Sequence, residues 1–253
     1  MGKMITVREA IDQLDANTEW KKFQLNYPEA KLGRFSIEKF SIGKIDKHRA
    51  EIIAKEGMDR DPGSGTFTRL VETVPGAGEN GSNLRKIWMS DTRAEIMEHT
   101  PLFNRLWWAE LDSGPGIRLL INGLGLGVAV HGALQYKISH IDVVEHNEAI
   151  VDLVRPLITD DRVTIHSGDA YDMQWPRGTK WDFAWHDIWP AIDDDNLPGM
   201  RKLHAKYRKR VYWQGCWQYQ GCLKMASITR RARNGTLGVE EAMDALIGRV
   251  ILL

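Results

Sequence analysis

Three features of the chain predict an α/β protein built on a doubly wound, mostly parallel sheet, with a small α+β extension in front. First, residues 117–130 pass from an apolar run through Gly123, Gly125 and Gly127 to apolar residues at helical spacing, which reads as strand, glycine turn and helix. Second, further apolar runs follow at 138–144, 163–166 and 181–185, spaced for intervening helices. Third, all four runs end in glycine or a carboxylate: Gly123, Glu145, Gly168-Asp169 and Asp187. That is the edge at which open α/β sheets bind ligands.

Taken in order, residues 6–23 carry Val7, Ile11 and Leu14 at helical spacing, with Thr6 and Glu9 as a capping box. Residues 34–42 are strand-like, and 46–56 read as a helix closed by Gly57. A loop rich in Asp, Pro, Gly and Ser follows at 59–65. The β-rich runs 66–74 and 84–89 flank Pro75-Gly76-Ala77-Gly78 and are expected to pair as a hairpin. One long helix is expected over 91–111, from a Ser90 or Asp91 cap to the Ser113-Gly114-Pro115-Gly116 turn. The expected domains are 1–89 for the extension and 90–253 for the parallel sheet.

Within the second domain, the spacing Gly-x-Gly-x-Gly differs from the Gly-x-Gly-x-x-Gly of nicotinamide and flavin binding, whose third glycine would fall at Val128. Glycines let the backbone turn sharply and let another group approach closer than a Cβ allows. Glu145, 18 residues after Gly127, stands where a doubly wound fold accepts hydrogen bonds from a ribose. A helix over 147–157 is expected to join the second and third strands. Alternating Trp181, Phe183 and Trp185 predict one buried face of the fourth strand, with Trp189 beyond its end as a wall for a ligand. His186 should face away from Asp187 by the same alternation. Asp193, Asp194 and Asp195 open a helix over 197–207, where acids suit the positive end of the dipole; with Asp187 they could draw in a cationic amine.

Ten Lys or Arg and no acid fall between Arg201 and Arg233, interleaved with Tyr207, Tyr212, Trp213, Trp217 and Tyr219. This region holds a fifth strand at 211–217, and its cations and rings also suit contact with single-stranded nucleic acid. A last helix at 236–247 and at most one short strand at 249–253 complete the expected elements.

Composition narrows the function classes. Hydrophobic residues make up 43% of 253, enough for a packed core, and no run approaches a membrane span. The N-terminus lacks the apolar core of a signal peptide, so a cytoplasmic protein without membrane contact is expected. Cys216 and Cys222 are too few for a disulfide framework and match no zinc spacing, so free thiols and no metal are expected.

Residues 90–190 resemble class I S-adenosylmethionine-dependent methyltransferases with a Rossmann-like sheet, and within them the spermidine synthase-like branch. The resemblance rests on the glycine turn Asn122–Gly127, on Glu145, on Gly168-Asp169, and on Glu95-Ile96-Met97 to Pro101-Leu102, similar to the Glu-Met-x-x-x-x-Pro-Leu helix of spermidine synthases. It implies S-adenosylmethionine as cofactor, bound by Asn122, Gly123, Gly125, Gly127, Glu145, His146, Asp169 and Ala170. Asp187 would be the catalytic base, with Glu95 and Trp189 facing the substrate. The hairpin implies a homodimer. Leu124 or Leu126 stands where spermidine synthases carry an Asp, and Asp187-Ile188-Trp189-Pro190 keeps only the first acid of their Asp-Ser-Ser-Asp-Pro. Methyl transfer is therefore the leading expectation, with polyamine aminopropyl transfer as the alternative. A nucleoside- or nucleic-acid-binding protein without catalysis is a third reading on the same fold.

Overall fold

The computed structural model describes residues 19–43, 63–111, 116–236 and 238. Expected elements at 46–56 and 249–253, residues 6–18 of the helix expected over 6–23, all of 236–247 except Thr236 and Gly238, and the start of the 59–65 loop lie outside the described residues. The chain divides into two compact units. The first takes the described residues within Met1–Leu111, Gly125–Lys137 and Asp152–Thr159; the second takes those within Asp112–Leu124, Ile138–Val151 and Asp160–Leu253.

The first unit holds a four-stranded antiparallel sheet in the order β1-β2-β3-β4, with β1 Ala30–Leu32, β2 Phe35–Ile42, β3 Gly65–Val74 and β4 Leu84–Ser90. The hairpin forms as its β-branched content predicts. Phe35, Ile37 and Leu70 are buried on one face and Phe67 and Val71 on the other, while Glu38 and Arg69, paired on the second face, are only half-buried, so that face is partly covered. The single helix expected over 91–111 is instead two, α1 Arg93–Glu98 and α2 Thr100–Glu110. Pro101 explains the break, because it donates no hydrogen bond and its ring crowds the preceding turn. Helix α3, Val128–Ala133, belongs to this unit as well; a Cβ on its Gly132 would lie 2.3 Å from the ring of Phe103, so glycine lets the ring seat against the helix backbone.

The second unit holds a five-stranded, all-parallel sheet in the order β7-β6-β5-β8-β9. Its strands are β5 Ile117–Asn122, β6 Ile138–Glu145, β7 Val163–Ser167, β8 Phe183–His186 and β9 Trp213–Cys216. The first strand in sequence is central and the order reverses beside it, the doubly wound arrangement the apolar runs predict. Helices α4 Glu148–Val154, α5 Asn196–Tyr207 and α6 Tyr219–Arg233 connect or follow the strands. Leu120, Val144, Ala184, Leu203 and Tyr207 pack together as one buried cluster.

Trp181 departs from the expected alternation. It lies before β8, packs on the side of Ala184, and donates its Nε1–H to Asp142 Oδ2 at 2.8 Å. Phe183 and Trp185, on the other face of the strand, pack against Trp213. Both cysteines are free and buried. No described helix is long and apolar enough to cross a membrane.

Candidate functional site

The carboxyl ends of β5, β6, β7 and β8 bring most of the predicted residues of the second unit to one sheet edge. Gly123 turns the chain at φ +102°, and its N–H donates to Val144 O at 2.8 Å. A Cβ at this position would lie 1.8 Å from Asp187 O, while Asp187 N donates to Asn122 O at 2.7 Å. The glycine therefore lets the turns after β5 and β8 touch backbone to backbone.

Glu145 is the ordering group of this edge. Only 6% exposed, it accepts Leu124 N on Oε2 at 3.0 Å and Asn147 N on Oε1 at 2.8 Å. One carboxylate thus ties the glycine turn to the turn after β6. An ionised carboxylate has about four acceptor positions, so acceptor capacity remains beyond these two donors. His146 lies beside it, with Nδ1 3.2 Å from Oε1 and a side chain that is mostly exposed.

After β7, Asp169 is exposed and accepts Tyr171 N on Oδ1 at 2.7 Å, closing a side-chain turn. Ala170 is buried, and its carbonyl accepts from Lys206 Nζ at 3.0 Å. Gly199 on α5 faces both Tyr171 and Trp189: a Cβ there would meet Tyr171 Oη at 2.3 Å and Trp189 Nε1 at 3.5 Å. Tyr171 links the edges of β7 and β8, a role that sequence spacing does not reveal because no motif surrounds it. Asp193 Oδ1 accepts Asp195 N at 3.0 Å, so part of the acidic triplet organises its own turn.

Asn122 and His186 sit beneath the edge rather than on it. Both are fully buried, with Asn122 Nδ2 2.7 Å from His186 Nδ1 and His186 Nε2 3.1 Å from Gln214 Oε1. The pattern fits a neutral ring that accepts from the amide and donates to Gln214. Burial pushes the His186 pKa down to about 4, which keeps the ring neutral. Cys216 Sγ lies 3.3 Å from His204 Nε2, but burial pushes the thiol up to about 12, so the pair offers no thiolate near neutral pH.

Three predicted residues belong to the first unit. Gly125 and Gly127 take φ +49° and +88°; a Cβ at Gly125 would fall 2.2 Å from Met89 Sδ, and one at Gly127 3.4 Å from Tyr27 Oη. These glycines thus accommodate protein side chains in their own unit. Glu95 receives Ser90 N at 2.6 Å and Ser90 Oγ at 2.7 Å. Both oxygens serve the start of α1, a task close to a capping box.

No family model matches this chain. No curated protein matches it either. Solved structures that resemble it include the S-adenosylmethionine-bound amino pentose methyltransferase of calicheamicin biosynthesis from Micromonospora echinaspora, 22% identical with a TM-score of 0.35 over 45% of each chain. An S-adenosylmethionine-dependent methyltransferase from Mesorhizobium loti is 20% identical, TM-score 0.31, over 42% of this chain and 47% of that one. The N-methyltransferase NodS from Bradyrhizobium japonicum is 12% identical, TM-score 0.34, over 45% and 62% respectively. The chain spans less than two thirds of the length of each of the three.

Proposed function

We propose that the chain binds S-adenosylmethionine along the carboxyl edge of its parallel sheet and transfers the methyl group to a nucleophilic acceptor. The observation that carries this reading is Glu145: a buried carboxylate held in one orientation by two backbone N–H groups, with acceptor capacity to spare. An acceptor-only group so fixed suits the two adjacent hydroxyls of a ribose, which are best bound together by a group that need not rotate to meet them. Asp169, exposed at the end of β7, would stand against the base. The cofactor supplies an electrophilic methyl on its sulfonium when bound. Asp187, which follows β8, would take a proton from the acceptor, and Trp189 with Tyr171 would limit water.

Aminopropyl transfer is not favoured by any observation, and Glu95, which would face the polyamine, gives both oxygens to Ser90. The reading is tested by calorimetric titration with S-adenosylmethionine, S-adenosylhomocysteine and methylthioadenosine. Saturable binding of the first two is expected, weakened roughly 10- to 100-fold in Glu145→Gln, the range of a lost hydrogen bond to a charged group. S-adenosylhomocysteine should also raise the melting temperature, since it binds only the native state. Absence of binding by all three ligands to the wild-type chain overturns the proposal.

A further inference from the structure

The parallel sheet has a second edge, at the amino ends of its strands, and two loops there are clasped together. Residues 176–180 lead towards β8 and residues 208–212 lead into β9. Arg210 Nη1 donates to Pro176 O at 3.3 Å and Thr179 O at 2.9 Å, Trp181 N donates to Arg210 O at 2.9 Å, and Tyr212 N donates to Asp182 O at 3.0 Å. The two clasped loops carry Arg177, Lys180, Arg208 and Lys209, all exposed, together with Tyr212, which is 87% exposed. None of the four cations pairs with a carboxylate among the described residues. The acid nearest to them in the chain, Asp182, accepts Arg118 N on Oδ2 at 2.8 Å.

From this we propose that the amino-end edge is a nucleic-acid contact surface, taking the phosphates of a single strand on its cations and a base on Tyr212. Cations after a helix also offset its negative C-terminal end, which accounts for Arg208 and Lys209 at the end of α5. It accounts for neither Arg177 and Lys180, which come from another loop, nor for a tyrosine left standing in solvent. Cations beside an exposed ring are what sequence-tolerant single-strand binding uses: charge for the backbone, stacking for the base. A membrane surface would need apolar side chains to insert, and the clasp displays one ring that ends in a hydroxyl. The rest of the basic run is partly spent inside the unit. Lys206 Nζ donates to the carbonyls of Ala170, Tyr171 and Met173, and Lys202 lies over the Tyr171 ring at 4.8 Å. The surface stands on its own, independent of the reading of the carboxyl edge.

The test is fluorescence anisotropy with a labelled oligouridylate of about 20 nucleotides, across roughly 50 to 300 mM salt. Binding that weakens steeply with salt is expected. Changing Arg177, Lys180, Arg208 and Lys209 together to Gln should lower the slope of log affinity against log salt by about 3, since each single-strand phosphate contact contributes about 0.7. Tyr212→Ala should weaken binding about fivefold or more with the slope unchanged. Arg201→Gln with Lys224→Gln, outside the clasp, should alter neither. No salt-sensitive binding by the wild-type chain, or equal losses in the clasp and control variants, overturns the proposal. So does retention on phosphatidylserine vesicles with none on the oligonucleotide, which would assign the patch to an anionic membrane.

Discussion

In the antiparallel sheet, polar side chains are matched across strands: Glu38 on β2 receives Arg69 from β3 and Arg85 from β4, Lys39 Nζ donates to Thr68 Oγ1, and Trp88 Nε1 donates to Glu72. In the parallel sheet the central strands are buried almost throughout, and polar groups gather at the strand ends, as with Glu145, Asp169 and Asp187, or in a sealed network like Asn122, His186 and Gln214. The difference follows from burial. A sheet whose faces are only partly covered can carry charge along its length, whereas one covered on both faces leaves its turns as the place for solvent-facing polar chemistry. Side chains in the first arrangement chiefly hold the sheet together; those at the strand ends of the second stand where the proposed cofactor would lie.

The sharpest way to break this comparison is at glycine. Gly123→Ala combines a left-handed φ with a Cβ 1.8 Å from a backbone oxygen that cannot swing away, so a loss of at least about 3 kcal/mol is expected. Gly33, in the β1–β2 turn of the antiparallel sheet, has φ +58° and nothing within 4 Å of the place a Cβ would take, so Gly33→Ala should cost only about 1 kcal/mol. Urea unfolding of both variants measures the pair. Equal losses would mean that the strand-end turns of the parallel sheet are no more tightly built than an open hairpin.

Much of this architecture is legible in the sequence because buried parallel strands leave short runs rich in apolar residues, as in Ile117 to Ile121 and Ile138 to Val144. The strand-end acids are legible for the same reason: they mark where each run stops. Other features leave weaker traces. Strand β1, three residues with Lys31 and Leu32 exposed, has no periodic pattern to find. Helix α6 buries only Cys222 fully, so charges rather than an apolar stripe dominate that stretch of sequence. The break at His99 does have a sequence signal, Pro101, which the continuous apolar spacing on either side of it masks. The Glu145 clamp depends on which backbone N–H groups two turns aim at one carboxylate. Residue identity alone does not encode it, and Asn122 shows the converse: a residue in the right turn whose side chain faces the interior.

A second contrast concerns carboxylates, and pH can probe it. Burial pushes Glu95 up to about 7, against the lowering effect of the Ser90 hydrogen bonds. For an acid whose pKa rises on folding, the native state holds a proton that the unfolded state releases, so stability falls as pH climbs from about 4.5 to about 7. That decline should amount to about 3 kcal/mol and should flatten in Glu95→Gln, which carries no titrating proton. Denaturation midpoints at several pH values give the slope, a readout that a general loss of packing would not change. If the slope persists in the variant, other groups set it and folding does not raise the Glu95 carboxyl.

The smallest expected effect belongs to the most densely paired carboxylate. Glu38 is opposed by burial, yet hydrogen bonds from Ser36, Arg85 and Arg69 outweigh it and hold the pKa below its ordinary value. A lowered acid adds stability above its unfolded pKa and loses it as pH falls through the acidic range. Despite three donors, Glu38→Gln should cost less than about 1 kcal/mol near neutral pH, because Arg85 is half exposed and water and salt screen the group. The loss should shrink further at about 1 M salt, where screening acts within a few ångströms. A loss well above this, insensitive to salt, would mean that the charged face of the antiparallel sheet is sealed from solvent. The contrast between a partly covered sheet and a sealed one would then have to be drawn elsewhere.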